Sequence, residues 1–164
     1  MVRELFNFER PDAVADWSSI DDSVMGGQSA SRLIHDDAGF AVFAGTVSLA
    51  RGGGFASVRS RALDLAAPGA VTYSLEVFSD GRRYKLNLRT DDTIDGVKYQ
   101  VAFKASPSLW TTVILPVSEF SPTFRGRQVA APALDPLRVR QVGLMVADRQ
   151  AGPFELKVRW IRAD

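Results

Sequence analysis

A chain of 164 residues with 46% hydrophobic and 24% charged side chains has the size and composition of one globular domain, which can bury a core without crosslinks. Twenty basic and nineteen acidic side chains leave a formal net charge of +1, so no overall field draws the chain to nucleic acid or to an anionic membrane. The absence of cysteine excludes disulfides, thiolate metal sites and cysteine nucleophiles.

The N-terminal segment Met1–Leu5 is not followed by the long apolar run of a secretory signal. No stretch reaches the ~20 apolar residues of a membrane-spanning helix, so membrane insertion is not expected. The sequence therefore predicts a cytoplasmic protein of bacterial type. A mitochondrial location is the alternative if a transit peptide has been removed.

Apolar and polar residues alternate with a period of two in the first half of the chain, which predicts strands that are buried on one face. The first strand is expected to end before Arg10-Pro11. An acidic turn with glycine at Asp36–Gly39 predicts a hairpin, and Ala67–Gly69 predicts a further turn. The predicted strands in this half lie at 5–8, 31–35, 40–49, 55–63 and 71–77.

The same alternation continues in the second half. Asp80-Gly81 is a two-residue hairpin signal, whereas the proline- and glycine-containing stretch Phe120–Pro136 predicts a long surface loop. Strands are predicted at 84–88, 97–103, 110–115, 139–147 and 154–160, with those at 110–115 and 139–147 the more deeply buried. About ten strands in one domain, residues 1–164, predict an all-β fold: a two-sheet antiparallel jelly-roll sandwich.

Catalytic motifs are hard to find in this sequence. His35 is the only histidine, so a Ser-His-Asp relay or a multi-histidine metal site is not expected. The glycines at Gly26-Gly27 and Gly52–Gly54 lack the Gly-Lys-Ser/Thr ending of a nucleotide loop, so tight turns explain them better. Scattered carboxylates leave glycoside hydrolysis as a weaker alternative. We therefore predict a protein without catalytic residues and without a cofactor.

One turn between two predicted strands contains three carboxylates, at Asp91, Asp92 and Asp95. Jelly-roll binding modules sometimes hold a structural calcium ion, and carboxylate oxygens are its preferred ligands. The spacing departs from that of a calcium loop. A solvated hairpin turn is therefore the preferred interpretation, with a bound ion as the alternative.

The hairpin at 82–104 is predicted to present a polar face opposite its core face. If its two strands pair, the outward side chains form one basic, hydrogen-bonding patch that can receive an acidic protein surface, a phosphate or a sugar. The alternative is a solvated sheet face whose charges prevent edge aggregation. The outward side chains are Arg83, Lys85, Asn87 and Arg89 on one strand and Lys98 and Gln100 on the other.

Three further side chains have two interpretations each. Trp110 is either an exposed platform for a sugar or protein, or, at the start of an apolar strand, a core residue. Arg127 is either a surface contact or a structural cation. Arg59 is a candidate for a structural ion pair with Asp21 or Asp22.

Five sequence blocks are distinctive: WSSIDDSVMGGQSAS at Trp17–Ser31, FAGTVSL at Phe43–Leu49, GGGFASVRSR at Gly52–Arg61, FRGRQV at Phe124–Val129 and VGLMVADRQAGPF at Val142–Phe154. The MGGxS and GGFASxR patterns within them are specific in combination. In these blocks, and in their order along nearly the whole chain, the sequence resembles the complex I intermediate-associated protein family.

The resemblance implies a galactose-binding-like jelly roll, similar in architecture to carbohydrate-binding modules. It also implies a noncatalytic, chaperone-like role, which in mitochondrial members is the assembly of NADH:ubiquinone oxidoreductase, complex I. The expected partners are protein subunits of that or another membrane complex, and the alternative is a carbohydrate-binding module-like domain that binds a glycan. The sequence lacks the long N-terminal extension of mitochondrial members, which favours a compact bacterial relative.

The resemblance further implies which residues hold or line the principal surface. The matching positions are Asp22, Ser23, Met25, Gly26, Gly27, Ser29, Gly54, Phe55, Ser57, Arg59, Gly126 and Arg127. Together with the polar hairpin face they give the predicted partner- or ligand-binding residues. These are Asp22, Met25, Arg59, Arg83, Lys85, Asn87, Arg89, Lys98, Gln100, Trp110, Arg125 and Arg127.

Overall fold

The computed structural model describes residues 1–22, 26–93 and 96–164. These residues form thirteen strands and four short 3₁₀ helices, at Pro11–Asp16, Ala50–Gly52, Val117–Glu119 and Pro136–Arg138. The strands are β1 (Arg3–Asn7), β2 (Trp17–Ser19), β3 (Ala30–Asp36), β4 (Phe40–Val47), β5 (Ala56–Ser60), β6 (Thr72–Ser79), β7 (Tyr84–Thr90), β8 (Lys98–Phe103), β9 (Trp110–Pro116), β10 (Ser121–Phe124), β11 (Arg127–Gln128), β12 (Val139–Val146) and β13 (Gly152–Ala163).

The described strands form two antiparallel sheets. The six-stranded sheet has the order β3-β4-β13-β6-β9, with β1 beside β13, and the seven-stranded sheet has the order β11-β10-β8-β7-β12-β5-β2. Their inner faces pack together and enclose the hydrophobic core. The prediction of an all-β, two-sheet jelly roll is confirmed.

The core is built by alternate residues of each strand. On β7 the side chains of Tyr84, Leu86 and Leu88 are fully buried, whereas Lys85 between them is only partly buried. Each such aliphatic side chain contributes about 1.5–3 kcal/mol when it is removed from water. The two-residue period thus decides both which side chains form the core and which face outward from the seven-stranded sheet.

The expected hairpin at Asp80-Gly81 is wrong. β6 pairs with β9 and β13, whereas β7 pairs with β8 and β12, so this turn carries the chain from one sheet to the other. The Asp80 carboxylate fixes the crossing, since it accepts hydrogen bonds from the Tyr84 hydroxyl at 3.0 Å and from the Glu155 backbone N–H on β13 at 2.9 Å. A local turn signal cannot distinguish a hairpin from a crossing between sheets.

The stretch Phe120–Pro136 is not a long loop throughout, as the sequence predicted. It contains the hairpin of β10 and β11, and β10 extends the seven-stranded sheet by pairing with β8. The Thr123 side chain is buried and donates a hydrogen bond to the Lys98 carbonyl at 3.3 Å. Proline and glycine in this segment concealed a strand that lies near the sheet edge, where proline is tolerated.

Two strands of the six-stranded sheet also differ from expectation. The register of β13 against β6 shifts between Val158 and Trp160, and this bulge turns Ile161 into the core and Trp160 outward. β9 was expected to be deeply buried, but it lies at the edge of the sheet, and Leu115 is its only buried residue. Val71, expected in the core, is exposed and precedes β6.

The Asp22 carboxylate lies inside the protein, in the loop after β2, and its residue is only 1% exposed. It accepts hydrogen bonds from the Ser29 backbone N–H at 2.9 Å and the Ser29 hydroxyl at 2.6 Å, and from the backbone N–H groups of Gly54 at 2.8 Å and Phe55 at 3.3 Å. Burial acts to raise the pKa of Asp22, but these hydrogen bonds outweigh it and hold the pKa below its usual value.

The adjacent carboxylate joins the two sheets directly. Asp21 accepts hydrogen bonds from the Ser31 hydroxyl at 2.5 Å and backbone N–H at 3.0 Å, and from the Ser57 backbone N–H at 3.0 Å. Ser31 lies on β3 of the six-stranded sheet and Ser57 on β5 of the seven-stranded sheet. We call these two carboxylates and their partners the Asp21–Asp22 clasp.

The clasp explains part of the glycine pattern of the sequence. A Cβ atom at Gly27 would lie 2.4 Å from the Asp22 Cγ, and one at Gly53 would lie 2.6 Å from the Asp22 Oδ2 and 2.7 Å from the Ser48 carbonyl oxygen. All three distances are below 3.0 Å, which Cβ atoms in real structures essentially never show. These glycines are needed for close packing around a buried carboxylate.

We expect Asp22→Ala to lower the free energy of unfolding by about 3–5 kcal/mol, because buried donors lose their acceptor at about 1–3 kcal/mol each. Urea denaturation followed by tryptophan fluorescence measures the change. Asp12→Ala is the matched control, since the Asp12 side chain is 78% exposed and should cost less than about 0.5 kcal/mol. A loss below about 1 kcal/mol for Asp22→Ala would show that the clasp does not stabilise the fold.

Candidate functional site

A groove of about 620 Å³ crosses the outer face of the seven-stranded sheet. We call it the sheet-face groove. Its lining includes Arg59 of β5, Gly143 of β12, Asn87 of β7 and Gln100 of β8. Gly143 is paired with both Arg59 and Asn87, and Asn87 is paired with Gln100, so these residues form one row across four neighbouring strands.

The middle of this row provides neutral hydrogen-bonding groups. The Gln100 Nε2 donates to the Asn87 Oδ1 at 2.8 Å and also lies 3.7 Å from the Met145 sulfur. Gly143 contributes no side chain, which leaves space between Arg59 and Asn87. The groove therefore combines amide groups with an adaptable thioether at its centre.

Positive charge is concentrated in the groove. Its described lining includes five cationic side chains, Arg59, Lys85, Arg89, Lys98 and Arg125, but one carboxylate, Asp148. That carboxylate lies 3.2 Å from the Lys85 Nζ. The net charge of the whole chain is only +1, so the groove differs from the rest of the surface in its charge.

Lys98 is the most constrained of these cations. Its burial, together with Arg89, Lys85 and Arg59, lowers the pKa of Lys98 to about 8. Within residues 1–22, 26–93 and 96–164, no carboxylate lies within 4.0 Å of the Lys98 ammonium or the Arg59 guanidinium. Protonated Lys98 is therefore destabilised in the free protein, and a bound anion would relieve that cost.

The structure brings most of the predicted binding residues together. The polar hairpin face is formed as expected, because β7 and β8 pair with their polar side chains on the same outer face. The predicted residues that line the groove are Arg59, Lys85, Asn87, Arg89, Lys98, Gln100 and Arg125. Their role in binding stays a prediction.

Asp22 and Arg59 both differ from what the sequence predicted. Asp22 was expected at the binding surface, but its carboxylate is buried in the Asp21–Asp22 clasp and cannot contact a partner. Arg59 was expected to pair with Asp21 or Asp22, but the described structure has no such ion pair, because serine hydroxyls and backbone N–H groups occupy both carboxylates. Arg59 instead lines the groove.

The remaining predicted residues lie apart from the groove. Arg83 is exposed on the rim near Asp148, at 3.8 Å, and does not line it. Arg127 is exposed on β11, and Met25 lies outside the described residues. Trp110 is half-buried on the outer face of the six-stranded sheet, where the Arg159 guanidinium lies 4.0 Å from its ring centroid. It is thus neither a core residue nor part of the groove.

Sequence reasoning missed the contribution of β12. Its residues Gln141, Gly143 and Met145 line the groove between β5 and β7. The two-residue period could have predicted this, because Gln141, Gly143 and Met145 alternate with Val142, Leu144 and Val146, whose side chains are fully buried. The apolar character of the strand instead suggested burial on both faces.

The alternative interpretations have little support in the described residues. In the acidic turn, Asp91 lies 3.2 Å from Arg138 and 2.9 Å from Arg140, while Asp95 lies outside the described residues. No described group of His, Asp and Glu side chains is arranged to hold a metal ion. The backbone N–H of Gly54 faces the Asp22 carboxylate rather than a phosphate.

The two sheets form a jelly roll with a cationic groove across one outer face. A solved structure of the family 11 carbohydrate-binding module from Clostridium thermocellum, in complex with a β-1,3-1,4-mixed-linked tetrasaccharide, matches with a TM-score of 0.72 at 18% identity. The match covers 99% of this chain and 94% of the module. At this level of identity the similarity shows the fold.

The chain belongs to the complex I intermediate-associated protein 30 (CIA30) family, whose sequence model matches residues 6–158. An uncharacterized protein of Schizosaccharomyces pombe is 31% identical over 90% of this chain and 77% of its own length. The mitochondrial complex I intermediate-associated protein 30 of Drosophila melanogaster is 26% identical over 96% of this chain and 61% of its own length. The family resemblance predicted from the sequence is confirmed. Within the described residues, no helix is long and apolar enough to cross a membrane.

The lowered pKa of Lys98 leads to a test of the electrostatics of the groove. Because the pKa is about 8 in the folded state against 10.5 ordinarily, the folded protein binds fewer protons between these values, and stability from this group rises with pH across that window. We expect Lys98→Met to raise the melting temperature by about 2–4 °C at pH 7. The gain should shrink as pH approaches 10.5.

Thermal unfolding followed by circular dichroism across this pH range measures the effect. The exposed Lys104 on the loop after β8 provides the control, and Lys104→Met should change the melting temperature little at any pH. An effect of Lys98→Met that is negative at pH 7 or independent of pH would contradict the crowding of cations in the groove.

Proposed function

We propose that this protein is a noncatalytic binding domain that assists the assembly of complex I by holding a protein subunit in the sheet-face groove. The observation that carries this proposal is the CIA30 family match over residues 6–158. The Drosophila relative, whose sequence aligns with 96% of this chain, is named as a complex I intermediate-associated protein. The partner proposed here is therefore a subunit of that membrane complex.

The chemistry of the groove supports binding rather than catalysis. Its described lining consists of cations, amides and apolar side chains, with Asp148 as its only carboxylate. Glycoside hydrolysis needs two carboxyl groups about 5 or 6.5–9.5 Å apart, and Asp148 is held by Lys85. The single histidine, His35, lies on β3 of the other sheet and does not line the groove.

The location of the protein is part of the same proposal. The Drosophila relative is named as mitochondrial, which supports the mitochondrial alternative. A cytoplasmic location of bacterial type stays a prediction. In either case, the partner subunit is expected to present a segment on the side of the membrane where this protein lies.

We expect a tagged version of the protein, expressed in cells of its source organism, to capture complex I subunits that mass spectrometry identifies. Arg59→Glu, which reverses a charge in the groove, should reduce their recovery about tenfold. Arg32→Glu is the matched control, because Arg32 is exposed on β3 of the other sheet. Recovery that is equal for the wild type and Arg59→Glu would remove the groove from the proposal, and recovery of no complex I subunit would contradict the function.

Glycan binding is the second candidate function. It is favoured by the similarity in fold to a carbohydrate-binding module that was solved with a tetrasaccharide, and by the amide pair of Asn87 and Gln100 in the groove. Amide side chains can orient the hydroxyl groups of a sugar through bidentate hydrogen bonds.

Nuclear magnetic resonance titration with mixed-linked β-glucan oligosaccharides tests this second candidate. Binding in the groove should shift the side-chain amide signals of Asn87 and Gln100, and Gln100→Ala should weaken it by about five- to tenfold. Absence of any shift at millimolar sugar would eliminate the glycan candidate and leave the assembly proposal unaffected.

A further inference from the structure

The charge of the sheet-face groove indicates the chemistry of its partner. We propose that the groove binds an extended acidic segment of a partner protein, whose carboxylates pair with Arg59 at one side and with Lys98 at the other. This inference rests on the proposed function, because it names the kind of client segment that the domain holds.

The first argument is that, in the part of the chain that the structure describes, two cations of the groove have no carboxylate partner. Among the described residues, Lys85 has Asp148 at 3.2 Å, but neither Arg59 nor Lys98 has a carboxylate within 4.0 Å. Arg59 comes from β5 and Lys98 from β8, with β12 and β7 between them. The sheet thus presents two separate anion-binding positions with Asn87 and Gln100 between them.

The second argument is the spacing of these positions. Neighbouring strands lie about 4.8 Å apart, so the backbones of β5 and β8 are separated by roughly 14 Å. The charged ends of the two side chains come closer, since Arg59 is one of the cations that repel the Lys98 ammonium. In an extended peptide, side chains on one side repeat about every 6.6 Å, so carboxylates two or four residues apart span roughly 7 or 13 Å. The backbone of such a segment would cross the amides of Asn87 and Gln100, which can both donate and accept hydrogen bonds.

The third argument is the effect of an anion on Lys98. Burial of this ammonium on β8, together with the nearby Arg89 and Lys85 on β7 and Arg59 on β5, lowers the pKa of Lys98 to about 8. A carboxylate beside it would offset both the burial and the repulsion. A carboxylate is therefore expected to bind more favourably beside Lys98 than beside an isolated lysine on the surface.

The fourth argument separates an acidic peptide from a neutral sugar. Sugar rings bind well on exposed aromatic faces, but the described lining includes no tryptophan or tyrosine. Trp17 packs against Phe6, with ring centroids 5.0 Å apart, and Trp160 lies under the Arg162 guanidinium. Two phenylalanines, Phe55 and Phe124, do line the groove, and the Arg125 guanidinium lies 5.3 Å from the ring centroid of Phe124. Charge rather than stacking thus dominates the groove.

Fluorescence anisotropy with two synthetic peptides tests the inference on the full chain. One peptide has glutamate at every second position, and the other has glutamine at the same positions. We expect the glutamate peptide to bind at least about tenfold more tightly at pH 7 and low salt. Arg59→Gln and Lys98→Gln should each weaken its binding about five- to tenfold, whereas Arg32→Gln on the other sheet should leave it unchanged.

A pH series provides a second readout that a purely structural role of Lys98 would not give. Affinity for the glutamate peptide should fall between pH 7 and 9.5, because Lys98 loses its proton with a pKa of about 8 in the free protein. Lys98→Arg keeps the positive charge across this range. This variant should retain the affinity at pH 7 and lose the pH dependence.

Equal affinity for the two peptides, or tighter binding of an oligosaccharide of uronic acids or of inorganic phosphate than of the glutamate peptide, would overturn the inference. These outcomes are distinguishable from failure of the proposed function. If complex I subunits are captured from cells but the peptides are not discriminated, the function stands and the acidic segment does not. If the glutamate peptide binds selectively but no complex I subunit is captured, the preference of the groove for an acidic segment stands and the proposed function in complex I assembly does not.

Discussion

The Asp21–Asp22 clasp holds β5 of the seven-stranded sheet next to β3 of the six-stranded sheet. One carboxylate joins Ser31 on β3 to Ser57 on β5, and the other holds the backbone that leads into these two strands. Because the hydrogen bonds offset the cost of burying negative charge, the carboxylates act as crosslinks in a chain without cysteine. β5 in turn carries Arg59, one wall of the sheet-face groove. The geometry of the candidate site therefore depends on two carboxylates that do not line the groove themselves.

This division of roles accounts for the glycine- and serine-rich blocks on which the predicted family resemblance was based. The glycine- and serine-rich blocks surround the clasp, where Gly27 and Gly53 leave room for Asp22. The cationic and amide side chains of the groove lie instead mainly on the outer faces of β7, β8 and β12. This jelly roll thus presents a cationic groove, and the fold alone does not decide whether a sugar or a protein binds in it.

Alternation along single strands was sufficient to predict the fold class and much of the groove. It assigned Leu86 and Leu88 to the core and placed Lys85 and Asn87 on the opposite face. It could not reveal that β12 lies between β5 and β7, because strand neighbours are decided by packing between distant segments. The bulge after Val158 and the crossing at Asp80 also depend on the second sheet. The burial of Asp22 was equally inaccessible, since its Gly54 partner lies 32 residues further along the chain.

Site-specific photocrosslinking in cells tests most directly whether the sheet-face groove is where a client binds. A photoreactive residue placed at Gln100 in the groove should become attached to a complex I subunit. The same residue at Thr112, which is exposed on β9 of the other sheet, should give no such product. Crosslinks to complex I subunits from Thr112 but not from Gln100 would contradict the account.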